Sequence, residues 1–215
     1  LLLLCFLSLV PSISQAQLRI VDYNVGAASS SSFGPRPGMD DVLQAINTQN
    51  KAGFSRNIDI MVLQEGHSVT TTGQAYADLL NSLAGTSSYL PTGLNGVTTG
   101  GGRPMAVYNS ATVTLIEEVA IGSVSTSGQP RQTLRYTFRP VGYDPTAVFY
   151  VYDSHFKAAN DSTSANRRNV EAETIRADSD ALGPNQNVIY AGDLNLYKAS
   201  EPAFQTLTAP GNGQA

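Results

Sequence analysis

Residues 17–215 predict a mixed α and β domain in which two packed sheets are covered by helices. Three observations carry that expectation. Apolar runs of strand composition recur along the chain, and several stop abruptly in a polar residue. Stretches with helically spaced apolar residues separate some of them. In the middle of the chain, strand-like stretches follow one another directly, as neighbouring strands of a sheet do. The length suits one domain with a substantial core, and no internal repeat interrupts it.

The first strand is expected over Leu18-Arg19-Ile20-Val21-Asp22-Tyr23-Asn24-Val25. Residues 26–38 are rich in Ser, Gly and Pro and read as a loop. Asp40 suits the N-cap of a helix reaching Asn50, with Val42, Leu43 and Ile46 on its apolar face. Ile58-Asp59-Ile60-Met61-Val62-Leu63-Gln64-Glu65 reads as a buried strand ending in an acid. Residues 76–83 suit a short helix with Leu79, Leu80 and Leu83 inward. A flexible glycine-rich loop at 98–102 introduces strands at 105–108, 112–121, 132–139 and 147–153. Leu134, Tyr136 and Phe138 alternate with Arg135, Thr137 and Arg139, the pattern of a half-buried strand. Residues 162–182 are polar, with Val170, Ile175 and Leu182 as apolar anchors, and predict a long surface helix. Asn187-Val188-Ile189-Tyr190-Ala191-Gly192-Asp193-Leu194-Asn195 reads as a buried strand that the backbone leaves at Gly192. A short helix follows near 200–207, and then a tail, 209–215, without a packing signal.

The N-terminus predicts export. Residues 1–10 are almost purely apolar, and Pro11-Ser12-Ile13-Ser14-Gln15-Ala16 follows with small residues at Ser14 and Ala16. This reads as the core and cleavage region of a secretory signal peptide, 1–16, clipped of its start Met and basic region. It is too short for a membrane span, which needs about 20 residues. Cleavage after Ala16 removes Cys5, the single cysteine, so a secreted or extracytoplasmic domain would hold together by its core and a metal rather than by disulfides. The formal charge of -4 is unlike that of a typical basic nucleic-acid binder, although catalytic cations would add positive charge of their own.

The chemistry-bearing residues sit where apolar runs stop. Asn24, Glu65, Ser154-His155, and Asp193 with Asn195 each follow such a run. Strand ends converge at one rim of a sheet, so residues far apart in sequence meet there. Each has a bland reading as well. Asn24 caps a turn, Glu65 is a solvated acid, His155 is a core histidine, and Asp193 with Asn195 forms an Asx turn.

Together these blocks resemble the endonuclease/exonuclease/phosphatase superfamily. Asn24 in DYNV, Glu65 in VLQE, His155 in YDSHFKA, and Asp193 with Asn195 in YAGDLN stand in that family's order, across nearly all of residues 17–215. The resemblance implies an α+β fold, a four-layer α-β-β-α sandwich of two mostly antiparallel sheets, incomplete at the C-terminus. It implies that Glu65 and Asn24 hold Mg²⁺ (or Mn²⁺), a hard cation that prefers oxygen ligands. Asp193 would orient or deprotonate the attacking water. Asn195 would hydrogen-bond a phosphoryl oxygen, and His155 the phosphate or leaving group. Lys157 and Arg103 are candidate phosphate contacts, with plain surface positions as the alternative. His67 reads as loop surface. Arg131 and Arg135 read as strand surface, and Arg167 and Arg168 equally as helix surface or as cations around a phosphatase pocket. Asn160-Asp161-Ser162 is a glycosylation sequon of low weight.

One departure matters. The family closes with a Ser-Asp-His block, and the only histidines here are His67 and His155. The expectation is a fragment or a catalytically dead relative, poorly active as residues 1–215. The implied function is a secreted, monomeric, metal-dependent phosphodiesterase, endonuclease-like and acting on nucleic acid. Alternatives are sphingomyelinase-like or inositol-phosphate phosphatase activity, or a non-catalytic binding module.

Overall fold

The computed structural model describes residues 17–26, 33–51, 53–97, 102–122 and 131–211. The expected signal segment, most of the Ser-rich loop, residues 98–101 of the glycine loop and the last tail residues lie outside the described residues.

Strands β1 (Ile20–Asn24), β2 (Ile60–Gly66), β3 (Tyr89–Pro91) and β4 (Arg103–Asn109) form one sheet in the order β1-β2-β4-β3. Strands β5 (Val113–Ile121), β6 (Thr133–Pro140), β7 (Phe149–His155) and β8 (Val188–Asp193) form the second, in chain order. Pairings β2–β4, β3–β4, β5–β6 and β6–β7 are antiparallel, whereas β1–β2 and β7–β8 are parallel. Parallel neighbours need a crossover. Helix α1 (Met39–Thr48) lies in the first crossover and α3 (Ser162–Ala181) in the second. A π-helical turn (Val69–Gly73) leads into helix α2 (Gln74–Ala84), and α4 (Pro202–Thr208) completes the fold.

Three apolar clusters make four layers. Leu43 of α1 and Tyr76, Ala77 and Leu80 of α2 pack on Met61, Leu63, Met105 and Val107 of the first sheet. Ile60, Val62 and Ala106 meet Leu134, Tyr136, Phe138 and Val151 between the sheets. Tyr152 and Phe156 meet Ala172 and Ile175 of α3 and Ala203 of α4 on the outer side. Alternation decides this: successive side chains of β2 point to opposite faces, and both faces are covered. The predicted α-β-β-α sandwich is therefore the fold.

Several local expectations need correcting. Helix α1 is capped by Gly38 at φ 83 with no side-chain cap, not by Asp40, which lies inside the first turn. The helix thus starts early, and its inward stripe is Met39, Leu43 and Asn47, leaving Val42 exposed. Asn47 is buried because its Oδ1 accepts from the Ile58 N–H at 2.9 Å. Strand β8 stands last in its sheet, so it is not a buried run, and only Ala191 of it is buried. Strand β6 is buried on both faces, since Arg135 lies under α3 with Nη1 2.7 Å from Asp178 Oδ1. Strand β3 was not expected at all.

Helix α3 departs furthest from its expected role. Val170 is exposed and Ile175 alone of the three anchors is fully buried. One such side chain contributes about 1.5–3 kcal/mol, too little to dock so long a helix. Ala172 is buried beside Ile175, but the rest of the buried stripe is polar: Ser164, Arg168, Glu171, Arg176 and Ser179. Arg168 is 0 % exposed and holds Glu201 with Nε 2.8 Å from Oε2, while Nη1 donates to the Lys157 and Ala159 carbonyls at 2.9 Å each. Asp161 caps the helix by accepting from the Ser164 N–H at 2.9 Å. No helix among the described residues is long and apolar enough to cross a membrane.

Candidate metal and phosphate site

Four strands deliver one residue each to a single point. Central strands β2 and β7 bring Glu65 and His155, and edge strands β1 and β8 bring Asn24 and Asp193. Ligand atoms of Glu65, His155 and Asp193 lie within 4.8 Å of one another. Asn24 bridges the carboxylates, its Nδ2 donating to Glu65 Oε1 and Asp193 Oδ2 at 3.0 Å each. Its own Oδ1 accepts from the Gly26 N–H at 3.0 Å, so the turn expected after β1 and the bridge coexist. His155 Nε2 stands 3.7 Å from Glu65 Oε1 and 4.0 Å from Asp193 Oδ2.

Backbone distortions aim these groups. Between Leu63↔Met105 and Gly66↔Arg103 the register of β2 against β4 shifts. Gln64 and Glu65 oppose Pro104 alone there, a bulge opposite a residue with no N–H to donate. Glu65 has φ 60, a strained conformation for a side-chain-bearing residue. A Cβ on Gly102 would lie 2.3 Å from the Glu65 Cα, so only glycine fits beside it. On β8, Gly192 has φ 120, followed by Asp193 at the strand end and Asn195 at φ 48. Strain of this kind clusters at working sites.

Asn195 does not leave the same face of a strand as Asp193, as an extended backbone would require. Strand β8 ends at Asp193, and the Asn195 N–H turns back to Asp193 Oδ1 at 3.2 Å. This is the Asx turn, and it leaves Asp193 Oδ2 directed at the cluster. The Asn195 Nδ2 donates to the Phe156 carbonyl at 3.0 Å.

Lys157 and Arg103 share no hydrogen bond or ion pair with Glu65, His155 or Asp193 among the described residues. Arg103 donates to the His67 carbonyl. The backbone N–H of Lys157 goes to Glu171 Oε2 at 2.9 Å, and its charge adds a little to the lowering of the Asp161 carboxyl that the Ser164 hydrogen bonds chiefly cause. His67 is exposed as expected and packs against Phe33 in a tilted pair, 4.0 Å between ring centroids.

Sequence reasoning missed Arg131, which is not strand surface. Its Nη1 donates to the carbonyls of His155 (3.2 Å) and Phe156 (2.9 Å). Burial lowers its pKa from the ordinary arginine value, against the opposing pull of Glu171, Glu65 and Asp193. A desolvated guanidinium therefore lies in the field of both site carboxylates. Glu171 was missed too: from α3 it accepts the N–H groups of Arg131 (2.7 Å) and Lys157 (2.9 Å). Burial raises its carboxyl above the usual range, against those hydrogen bonds and the nearby arginines. The signal for both was only a polar residue in a polar stretch.

The donor set suits a divalent cation. Two carboxylates offer oxygen and His155 offers a ring nitrogen, and the Glu65 and Asp193 side chains are 30 % and 35 % exposed. That openness leaves room for the waters such an ion retains. The two carboxylates stand together across the neutral Asn24 amide, so a cation would compensate charge already gathered there.

No family model matches the chain, and no curated protein sequence matches it. Solved structures do match. TDP2 from D. rerio, complexed with single strand DNA product, superposes with a TM-score of 0.60 at 19 % identity, covering 91 % of this chain and 67 % of that one. A mannosyl-6-phosphatase from Bacteroides thetaiotaomicron gives 0.58 at 14 % identity, covering 90 % and 70 %. An endonuclease/exonuclease/phosphatase family protein from the same organism gives 0.57 at 12 % identity, covering 89 % and 66 %.

Proposed function

We propose that this chain, which has the fold of the endonuclease/exonuclease/phosphatase superfamily, is a metal-dependent phosphoesterase acting on phosphodiesters, with nucleic acid as the first substrate class. The observation that carries the reading is the meeting of Glu65, His155 and Asp193 within 4.8 Å, bridged by Asn24. Four separate strand ends must converge to make it, and a purely structural role gives no reason to gather charge there. The DNA product held by TDP2 supports the substrate class. Residues 1–16 support secretion, and a monomer is the working assembly.

Glu65 and Asn24 would hold Mg²⁺ or Mn²⁺, which when bound supplies charge neutralisation at the phosphoryl oxygens. Asp193 Oδ2 would orient the attacking water and take up its proton as the water oxygen bonds phosphorus and the ester P–O bond breaks, the leaving oxygen taking its proton from solvent. His155 Nε2 donates to a phosphoryl oxygen, and its low exposure fixes the ring for that role. One amide hydrogen of Asn195 holds the Phe156 carbonyl, and the second would serve a phosphoryl oxygen. Arg131 adds positive potential behind His155.

A hydrolysis panel tests this. Plasmid DNA, RNA, sphingomyelin, a chromogenic phosphodiester and a sugar phosphate are compared with Mg²⁺, Mn²⁺, Ca²⁺ or EDTA. Cation-dependent cleavage of the diesters is expected, slow if residues 1–215 act alone, and falling by further orders of magnitude in folded Glu65→Gln and Asp193→Asn. Turnover that survives EDTA, or near-normal rates in both variants, overturns the reading. Cleavage confined to the sugar phosphate makes the chain a monoesterase.

A further inference from the structure

One layer below the candidate site lies a second polar layer on the same four strands. Gln64 precedes Glu65 on β2, Asp22 stands two residues before Asn24 on β1, and Asp153 stands two before His155 on β7. The Gln64 Nε2 donates to Asp22 Oδ1 at 2.8 Å and to Asp153 Oδ1 at 2.7 Å. Asp22 Oδ2 accepts from the N–H of Gly192, the residue before Asp193 on β8, at 2.9 Å. Asp153 Oδ2 accepts from the Met105 N–H of β4 at 3.1 Å. Gln64 is 1 % exposed and Asp153 0 %.

The placement is unusual for stability alone. Packed sheets stand about 10 Å apart and are normally joined by apolar side chains. Here a neutral amide uses both of its hydrogens to tie a carboxylate of its own sheet to one of the opposite sheet. The chain of bonds runs from β8 through Asp22, Gln64 and Asp153 to β4. Every strand that carries a site residue is held in it at the adjoining residue or the one beyond.

We propose that Gln64, acting through Asp22 and Asp153, is a positioning residue that sets the spacing of Glu65 against His155 and Asp193, and with it the affinity of the site for a divalent cation. This rests on the metal-dependent reading above. An apolar side chain of the same length would fill the volume without fixing the separation.

The test is Mn²⁺ titration of the whole chain, with free Mn²⁺ read by electron paramagnetic resonance. Gln64→Met is neutral and similar in size, and is expected to weaken Mn²⁺ binding by about tenfold to a hundredfold, the usual effect of losing a support behind metal ligands. Gln64→Asn stays polar but reaches only one carboxylate, and should fall between; it also serves if Gln64→Met does not fold. Tyr89→Phe is the control. It removes a buried hydrogen bond to the Ile58 carbonyl on the helix-facing side of the first sheet. It should lower stability and leave Mn²⁺ affinity alone. Tight wild-type binding that both Gln64 variants retain overturns the inference and leaves the metal reading intact. A wild-type chain that takes up no Mn²⁺ overturns both.

Discussion

A Cβ on Gly192 would lie 1.9 Å from the carbonyl oxygen of Ser154. Strand β8 is pressed onto β7 at the residue before Asp193, and φ 120 adds a conformation that side chains rarely adopt. Gly192→Ala should therefore cost more than about 4 kcal/mol, or abolish folding, since backbone atoms rather than a flexible side chain are in the way. Urea denaturation checks this; a loss of only a few tenths of a kcal/mol would contradict it.

Asn24 is the neutral bridge between two acids, which sets the sign of a second prediction. Asn24→Asp places a third carboxylate where the amide donated at 3.0 Å to both Glu65 and Asp193. Like charges then repel, so the cation-free protein loses stability. Added Mn²⁺ should raise the melting temperature of the variant by more than it raises that of wild type. Equal shifts in thermal melts would refute this.

Arg168 offers a stability test away from the site. Arg168→Met keeps the bulk but leaves Glu201, its side chain 3 % exposed, without its partner. The carbonyls of Lys157 and Ala159 lose their donor as well. Breaking a buried pair from one side costs about 3–5 kcal/mol. Replacing Glu201 with Gln at the same time should recover part of that, and a double-mutant cycle in urea measures how much.

Glu171 makes stability depend on pH in a definite direction. Its folded carboxyl titrates above the ordinary value of 4.5, chiefly because burial penalises the charge. Between those two values the folded state binds the extra proton, so this group's contribution grows as the pH falls and is lost as it rises through the folded value. The stability of wild type minus that of Glu171→Gln should increase on acidification through this window and level off below it. Denaturation curves at several pH values that show the opposite slope would overturn the assignment.

What the sequence made legible was local. Asn24, Glu65, His155 and Asp193 each ended an apolar run, and a strand end is a signal carried by a few neighbours. The helices at 74–84 and 202–208 were visible from spacing for the same reason. Long-range pairing left no such mark. Gln64 and Asp153 are 89 positions apart and each looked like an ordinary residue of its strand. Arg168 and Glu171 were hidden because α3 docks through charge, and a polar helix docked by charge has the periodicity of a solvated one. The Asx turn of Asp193 with Asn195 was one of the readings their spacing allowed, and Asn195 takes it up at φ 48.

The bulge opposite Pro104 has a consequence for how this chain tolerates insertions and deletions. In an unbroken strand, Gln64 and Glu65 would face opposite sides of the sheet. The extra residue lets both serve one corner of the sandwich, the first inside it and the second at its rim. Deleting a single residue between Leu63 and Gly66 would restore a regular ladder with β4 and improve the sheet. It would also leave only one residue to do two jobs. The most ordinary β-structure available to this segment is thus the one that would disarm it.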